Sequence, residues 1–401
     1  MKIQITGLGY IGLPTAVLIA NNDIKVYGVD TNTTVVDKIN LGEVHIVEPG
    51  LGELLLKSVK KGNLSASTKP NEADVHIIVV PTPFKENLVP DISYVEKAIL
   101  SILPVLKKDN LLIIESTCPV GTTEKMANYI FNEKPELLNN IYVAYCPERV
   151  LPGNVFYELV NNDRVIGGIN IESTNKAIEF YNYFVKGQKH PTNSRTAELC
   201  KLTENSSRDV QIAFANELSM ICDKAEINVW DLISLANKHP RVNILQPGSG
   251  VGGHCIAVDP YFIAHDYPKE SILISKAREI NNYKSEWCVE KIINTVLEFN
   301  LKNKFEPTIA LMGMAFKPNI DDLRESPAVY IINQVHNRLK NNTIISEPNI
   351  QTHKIYKLTD FKEAYENSDI VVFLVSHDEY KSLVINEGKI ILDFCGIFKL
   401  K

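Results

Sequence analysis

Three glycines, a cysteine and a carboxylate stand together in Gly250-Val251-Gly252-Gly253-His254-Cys255-Ile256-Ala257-Val258-Asp259. Glycine permits close backbone approach and dihedrals closed to other residues, so such a run can present a thiol to a ligand. A thiol beside an ionisable group is a nucleophile whose reactivity follows its surroundings. The ordinary alternative is a small buried cysteine behind a glycine-rich turn, because free cysteine usually packs as a hydrophobe. A second pair with chemical potential is Lys201 and Asn205, which at i and i+4 share one helix face. Taken alone, Lys201 reads as a solvated lysine pairing with Glu198 or Glu204.

The residues that must supply a reaction partner lie at the N-terminus. Lys2-Ile3-Gln4-Ile5-Thr6 reads as a short buried strand, followed by Gly7-Leu8-Gly9-Tyr10-Ile11-Gly12 and a helical pattern over 13–21. A second apolar run, Lys25-Val26-Tyr27-Gly28-Val29, ends in Asp30, eighteen residues beyond the last glycine. Strand, glycine turn, helix, strand and terminal acid in that order form the dinucleotide-binding unit. The glycines admit a pyrophosphate to a helix N-terminus, where free N–H groups and the dipole favour an anion. Asp30 would accept from the ribose hydroxyls and repel a 2′-phosphate, and Thr31-Asn32 bring no arginine, so the cofactor expected is NAD.

Strands at 75–80, 111–114 and 141–145 alternate with helices at 51–61, 92–106 and 122–132, which predicts a doubly wound parallel sheet. Ligands in such sheets bind beyond the strand carboxyl ends. The segments there are Pro81-Thr82-Pro83, Glu115-Ser116-Thr117-Cys118-Pro119-Val120-Gly121-Thr122 and Cys146-Pro147-Glu148-Arg149. Thr82, Ser116, Thr117 and Glu148 are expected to turn polar groups toward the crevice, with plain turn chemistry as the alternative. A polar stretch at 189–194 marks an expected domain boundary, and 196–225 is a long helix free of proline and glycine. Helical sequence follows, closed by a helix over 272–299. A smaller α/β array then begins with a strand at 308–312 and lacks GxGxxG. Its Lys317 and Arg324 suit phosphate or carboxylate contacts, or else a solvated salt-bridge loop with Asp321 and Asp322.

The composition excludes several classes. A chain of 401 residues needs more than one core. The net charge of −6 offers no support for nucleic-acid binding. Seven cysteines without CxxC pairs argue for cytoplasmic thiols, against a disulfide framework and against a metal site. Gly7, Gly9, Gly12 and Pro14 interrupt the apolar N-terminus where a signal peptide would be continuous, and no apolar run is long enough to span a bilayer.

Together these stretches resemble the UDP-glucose/GDP-mannose dehydrogenase family over nearly the whole chain. The resemblance rests on the glycine turn, Pro81-Thr82-Pro83, Ser116-Thr117 with Pro119-Val120-Gly121-Thr122, and Pro147-Glu148. It continues through Glu198-Leu199-Cys200-Lys201 with Asn205, Gly252-Gly253-His254-Cys255 with Asp259, and Phe316-Lys317-Pro318 through Arg324. It implies an NAD-binding domain over 1–190, a helical dimer-forming domain over 191–300 and a UDP-sugar-binding domain over 301–401. It also implies oxidation of a UDP-sugar C6 alcohol to a carboxylate with two NAD, by a homodimer or larger homo-oligomer. Cys255 would capture the intermediate aldehyde, Lys201 and Asn205 would stabilise the oxyanion, and Asp259 or Glu148 would direct water. Gly7, Gly9, Tyr10, Ile11, Gly12, Asp30, Pro81, Thr82, Ser116, Thr117 and Arg324 would serve the cofactor. Glu148, Arg149, Val150, Lys201, Asn205, Arg241, Gly252, His254 and Lys317 would contact the substrate.

Val258 stands where many relatives acting on UDP-glucose carry lysine. Ala144-Tyr145-Cys146-Pro147-Glu148-Arg149-Val150-Leu151-Pro152-Gly153 and Asn162-Asp163-Arg164-Val165-Ile166-Gly167-Gly168 look like the branch acting on UDP-N-acetyl-D-mannosamine, with UDP-N-acetylglucosamine close to it. Two rival classes remain: a single-hydride hydroxyacid dehydrogenase, which stops at one NADH, and a nucleotide-sugar binding protein, which reduces no NAD.

Overall fold

The computed structural model describes residues 1–85, 89–150, 153–339 and 342–398. The chain forms two compact units, Met1–Thr203 and Glu204–Lys401, and the division falls inside one long helix.

The first unit runs β1 (Lys2–Thr6), α1 (Gly12–Asn21), β2 (Lys25–Val29), α2 (Thr33–Leu41), α3 (Leu51–Lys60), β3 (Leu64–Ser67), β4 (Val75–Ile78) and α4 (Ser93–Ile102). It continues β5 (Leu111–Ile114), α5 (Thr122–Glu133), β6 (Tyr142–Tyr145), α6 (Val155–Asn161), β7 (Arg164–Gly168), α7 (Ile171–Tyr181), β8 (Lys189–Asn193) and the start of α8 (Ser194–Lys224). The strands form one sheet in the order β3-β2-β1-β4-β5-β6-β7-β8. β4 and β5 are buried at every position because helices cover both faces, and only continuous apolar runs suit that environment. One face packs on Leu13 and Val17 of α1, Leu55 of α3 and Phe180 of α7; the other packs on Val95 and Ile99 of α4 and Ile130 of α5. The doubly wound sheet expected from the alternation is present.

Two details differ from expectation. β7 pairs antiparallel with β6, so the sheet is mostly rather than wholly parallel. The polar stretch at the expected boundary, 189–194, carries a strand that its sequence did not suggest: Lys189 to Asn193 form β8, paired in parallel with β7. An edge strand has one neighbour and is largely exposed, so Lys189, His190, Pro191 and Thr192 are compatible with it although they mask the strand in sequence.

The second unit holds the rest of α8, then α9 (Val229–Ala236), α10 (Asp259–Asp266), α11 (Ile272–Asn303), β9 (Ile309–Met312) and α12 (Pro327–Leu339). It ends with β10 (Thr343–Ser346), α13 (Phe361–Glu366), β11 (Ile370–Phe373) and β12 (Ile390–Asp393). Its sheet is parallel throughout, in the order β10-β9-β11-β12. α11 does more than close a helical region. One face meets α8, where Arg278 Nη1 lies 2.7 Å from Asp209 Oδ1 and Lys291 pairs with Asp223 at 2.9 Å. Another face sends Cys288, Val289, Ile292 and Val296 into the same core as Ile309, Leu311, Ile331 and Ile370.

Candidate functional site

In the first sheet the strand order reverses between β1 and β4, and open α/β sheets bind ligands at such a point. β1 is followed by Gly7, whose φ is 97° and where a Cβ would lie 2.3 Å from the Val79 carbonyl oxygen, so no side chain fits. Gly9 differs: a Cβ there would meet nothing within 4 Å. The side chain left off Gly9 therefore opens space rather than relieving a clash inside the protein. α1 begins beside it with no side-chain cap; the Leu13 N–H bonds the Gly9 carbonyl at 3.1 Å and Pro14 carries none, so the helix offers an anion its dipole and the Gly12 N–H. Asp30, directly after β2, accepts from the Leu8 N–H at 3.0 Å through Oδ2 and from the Asn32 N–H at 2.9 Å through Oδ1. Tyr10 is half exposed on the turn, Ile11 is half-buried, and Pro81 and Thr82 follow β4 across the reversal. This open turn, uncapped helix and strand-end acid fit a dinucleotide.

Ser116 is not turned toward that crevice. It is buried, and its Oγ accepts from the Val80 N–H at 2.9 Å and donates to the Val80 carbonyl at 2.8 Å, joining the end of β5 to the segment after β4. Thr117 beside it is half-buried. Glu148 is also engaged within the protein. Its Oε2 lies 2.8 Å from Arg164 Nη1 in a buried pair, and its Oε1 accepts from the Arg149 N–H at 2.6 Å. A carboxylate tied this way is a poor candidate for a water-activating base and instead directs the course of Arg149 and Val150. Leu151 and Pro152 of the same motif lie outside the described residues.

Behind Glu148 lies a cluster the sequence reading did not single out. Burial pushes the Glu115 carboxyl up to about 7, with Arg164 drawing it down and Glu148 pushing it up. Tyr181 donates its hydroxyl to Glu115 at 2.6 Å. The available signal was an acid directly following the apolar run of β5.

Lys201 does not pair with Glu198. Its Nζ donates to the Glu148 carbonyl oxygen at 2.8 Å. Glu198 instead accepts from the N–H groups of Gly121 and Thr123 at 2.6 and 2.7 Å and from the Thr123 hydroxyl at 2.7 Å, capping α5.

The second unit repeats the turn of the first. Gly313 follows β9 with φ 97°, as Gly7 follows β1, and its N–H donates to the Ser346 carbonyl at 2.8 Å, as that of Gly7 donates to Val29. Glu347 follows β10 as Asp30 follows β2, and its Oε2 accepts from the N–H groups of Met314 and Ala315 at 2.6 and 3.0 Å. Here the acid is sealed in. The Asn319 N–H donates to His377 Nδ1 at 3.0 Å, which leaves Nε2–H to donate to Glu347 at 3.0 Å. The sequence reading missed Glu347, although an acid directly after β10 was the visible cue.

The cysteine loop is built onto the point where this second sheet reverses, between β9 and β11. Ser249 Oγ donates to the Leu374 carbonyl after β11 at 3.1 Å, and the Gly253 N–H donates to the Arg324 carbonyl at 3.1 Å. A Cβ on Gly252 would lie 2.5 Å from the Glu325 carbonyl oxygen, and one on Gly253 would lie 2.8 Å from the Phe316 ring. These glycines thus admit another protein loop. Cys255 is half-buried, and its carbonyl accepts from the N–H groups of Val258 and Asp259 at 3.0 and 2.8 Å as the chain turns into α10. Asp259, the first residue of α10, is 3% exposed, and its Oδ2 accepts from Asn205 Nδ2 at 2.5 Å. His254, Lys317, Arg241 and Arg324 are exposed, and Arg324 Nη2 lies 2.6 Å from Asp322 in a local pair. Arg241 rides a loop clasped by Asn237, which bonds both the N–H and the carbonyl of Ile244.

A mostly parallel and a wholly parallel sheet, each opening on a glycine turn held by an acid after the next strand, define a nucleotide-dependent α/β protein. Family comparison specifies it: residues 1–185 match the NAD binding domain of the UDP-glucose/GDP-mannose dehydrogenase family, 195–283 its central domain and 310–400 its UDP binding domain. A UDP-N-acetyl-D-mannosamine dehydrogenase of Campylobacter jejuni is 50% identical over 410 residues, covering 98% of this chain and 99% of that protein. An NDP-N-acetyl-D-galactosaminuronic acid dehydrogenase of Ralstonia nicotianae is 46% identical, covering 100% of this chain and 96% of that protein. The solved UDP-D-ManNAc dehydrogenase of Pyrococcus horikoshii superposes with a TM-score of 0.89 at 37% identity over 100% of both chains. The chain belongs to the UDP-glucose/GDP-mannose dehydrogenase family. It is an NAD-dependent UDP-sugar dehydrogenase. No described helix is long and apolar enough to cross a membrane.

Proposed function

We propose that this chain oxidises C6 of UDP-N-acetyl-D-mannosamine to the carboxylate of UDP-N-acetyl-D-mannosaminuronate through a covalent adduct on Cys255, for surface polysaccharide synthesis. It would act in the cytoplasm as a homodimer or larger homo-oligomer. The observation that carries the reading is the cysteine loop built against the reversal point of the second sheet, with Asp259 bonded to Asn205 behind it. The names of the relatives at 50% and 46% identity favour an N-acetylated sugar over glucose.

NAD, when bound at Gly7–Gly12 and Asp30, accepts one hydride in each of two oxidations. Asp259 stays a hydrogen-bond acceptor because the Asn205 amide donates to it, so it draws the proton of the C6 hydroxyl, directly or through water. Cys255 Sγ, its proton passing to water, then adds to the aldehyde carbon, and the carbonyl π pair moves to oxygen. The Lys201 ammonium and the second N–H of the Asn205 amide stabilise that oxygen. Oxidation of the thiohemiacetal leaves a thioester, which water cleaves to the carboxylate and the free thiol. Asp259 is the better guide for this water, since Glu148 is held by Arg164. The covalent bond retains the aldehyde between the two oxidations.

The test counts NADH formed per UDP-N-acetyl-D-mannosamine, UDP-N-acetylglucosamine and UDP-glucose. Two NADH per UDP-N-acetyl-D-mannosamine are expected, with kcat/KM at least about tenfold above the other two sugars. Cys255→Ser is expected to lose at least about a hundredfold in steady turnover while still binding the UDP-sugar. One NADH per sugar, or a serine variant turning over at the parental rate, refutes the covalent double oxidation.

A further inference from the structure

Cys255 lies between two anchors that lead back to one buried ion pair. Before it, the Gly248 N–H donates to Asn216 Oδ1 at 2.9 Å. Asn216 Nδ2 donates to Asn281 Oδ1 at 2.9 Å, and Asn281 Nδ2 donates to Asp209 Oδ1 at 2.8 Å. After it, Tyr261 on α10 accepts from Asn282 Nδ2 at 3.0 Å, and Asn282 Oδ1 accepts from Arg278 Nη2 at 2.8 Å. Arg278 also lies 5.5 Å from the Tyr261 ring centroid. Arg278 and Asp209 close the circuit at 2.7 Å. Asp209, Asn216 and Asn281 are at most 1% exposed and Arg278 is 4% exposed, so the bonds among them are shielded from bulk water, while the outer bond from exposed Asn282 to Tyr261 lies at the surface.

A buried ion pair is a poor stabiliser of two packed helices, because desolvating both charges offsets most of their attraction. A buried polar network does impose direction on the groups it joins, and here Asp209 Oδ1 and both Arg278 terminal nitrogens are engaged although Asp209 Oδ2 and Arg278 Nε are left unpartnered. This one runs beyond α8 and α11 to the main chain before Cys255 and to the helix after it. We propose that the Asp209–Arg278 pair is a positioning device for Cys255, holding the entry of its loop through Asn281 and Asn216 and the exit through Asn282 and Tyr261. None of these six residues is assigned a contact with the reacting atoms. The proposal rests on the reading of Cys255 as nucleophile only for its catalytic consequence.

Asn216→Leu removes the acceptor for Gly248 at similar volume, and Tyr261→Phe removes one hydroxyl while leaving the ring over Arg278. Lys291→Ala cuts the Asp223 pair elsewhere between α8 and α11 and serves as the control for simple bracing. The deciding readout is the rate of iodoacetamide alkylation at Cys255 in the full-length folded protein, followed by peptide mass spectrometry. The rate is expected to rise at least about threefold in Asn216→Leu, and in the same direction in Tyr261→Phe, while Lys291→Ala stays parental. In Asn216→Leu, kcat should fall about tenfold or more with the KM for NAD within about twofold, because a misplaced nucleophile costs rate rather than cofactor binding. Alkylation at or below about the parental rate in both Asn216→Leu and Tyr261→Phe overturns the proposal, since a brace alone would change only thermal stability. If Cys255→Ser turns over normally, the reading of Cys255 as nucleophile fails, while the alkylation rates still decide whether this network holds its loop.

Discussion

Asp30 and Glu347 stand at the same station of two sheets, each following a second strand and each holding the N–H of the residue after a glycine with φ 97°. Their surroundings give them different work. Asp30 remains half exposed, so it can hold its own turn and still offer an acceptor to a ribose. Glu347 is buried beneath His377 and bonded to three main-chain N–H groups, so it shapes its loop and offers nothing outward. Asp30→Ala is therefore expected to raise the KM for NAD about tenfold or more and leave the KM for the UDP-sugar within about twofold, since a charge-assisted hydrogen bond contributes about 1.5–3 kcal/mol. Initial-rate kinetics with each substrate varied in turn check this; equal loss for both substrates would point to general unfolding.

Among the elements, the strand ends carry the most unusual electrostatics. Glu115 after β5, Glu148 after β6 and Arg164 opening β7 bring two carboxylates to one guanidinium, with Tyr181 and Cys146 alongside. Burial pushes the Cys146 thiol up to about 12, so it stays a neutral thiol. Glu115 holds its proton more tightly in the native state than in the unfolded chain. It therefore contributes stability that is present below the ordinary carboxylate range and is lost as pH rises through about 7. Glu115→Gln cannot ionise, so its stability relative to the parent should improve by on the order of 2–3 kcal/mol between about pH 5 and about pH 8. Urea unfolding at the two pH values measures the difference. A parent and variant that keep a constant gap would assign the neutral-pH proton elsewhere.

For the whole molecule, α11 sets the cooperative unit. Its residues Cys288, Val289, Ile292 and Val296 belong to the core of the second sheet, while Arg278, Asn281 and Lys291 are bonded to α8. The second half of α8, α11 and the second sheet should thus open together rather than as a helical domain and a separate sheet domain. Hydrogen exchange is expected to show similar protection for amides of α11 near Asn281 and near Ile292, the signature of one opening unit. Protection that differs by more than about a hundredfold between them would divide the unit in two.

Much of this protein was legible in its amino-acid order because the information is local. A glycine turn after an apolar strand, an acid after the next strand, and i, i+4 residues on a helix follow from short-range sterics and spacing. The motif from Gly250 to Asp259 was likewise visible as a unit. Tertiary structure decided which side chains still face outward. Glu148 and Ser116 look like site residues in one dimension, but Arg164 and Val80, distant in sequence, engage them. Lys201 changes from an ordinary surface lysine to a donor on the Glu148 carbonyl. β8 is hidden because an edge position relaxes the apolar pattern that marks interior strands. The same holds for the thiol: sequence alone determined that Cys255 follows a flexible glycine run, whereas close packing against Phe316 and Glu325 decided why that run had to be glycine. Hydrogen bonds and excluded volume between distant segments cannot be read from spacing, because the fold must first bring the segments together.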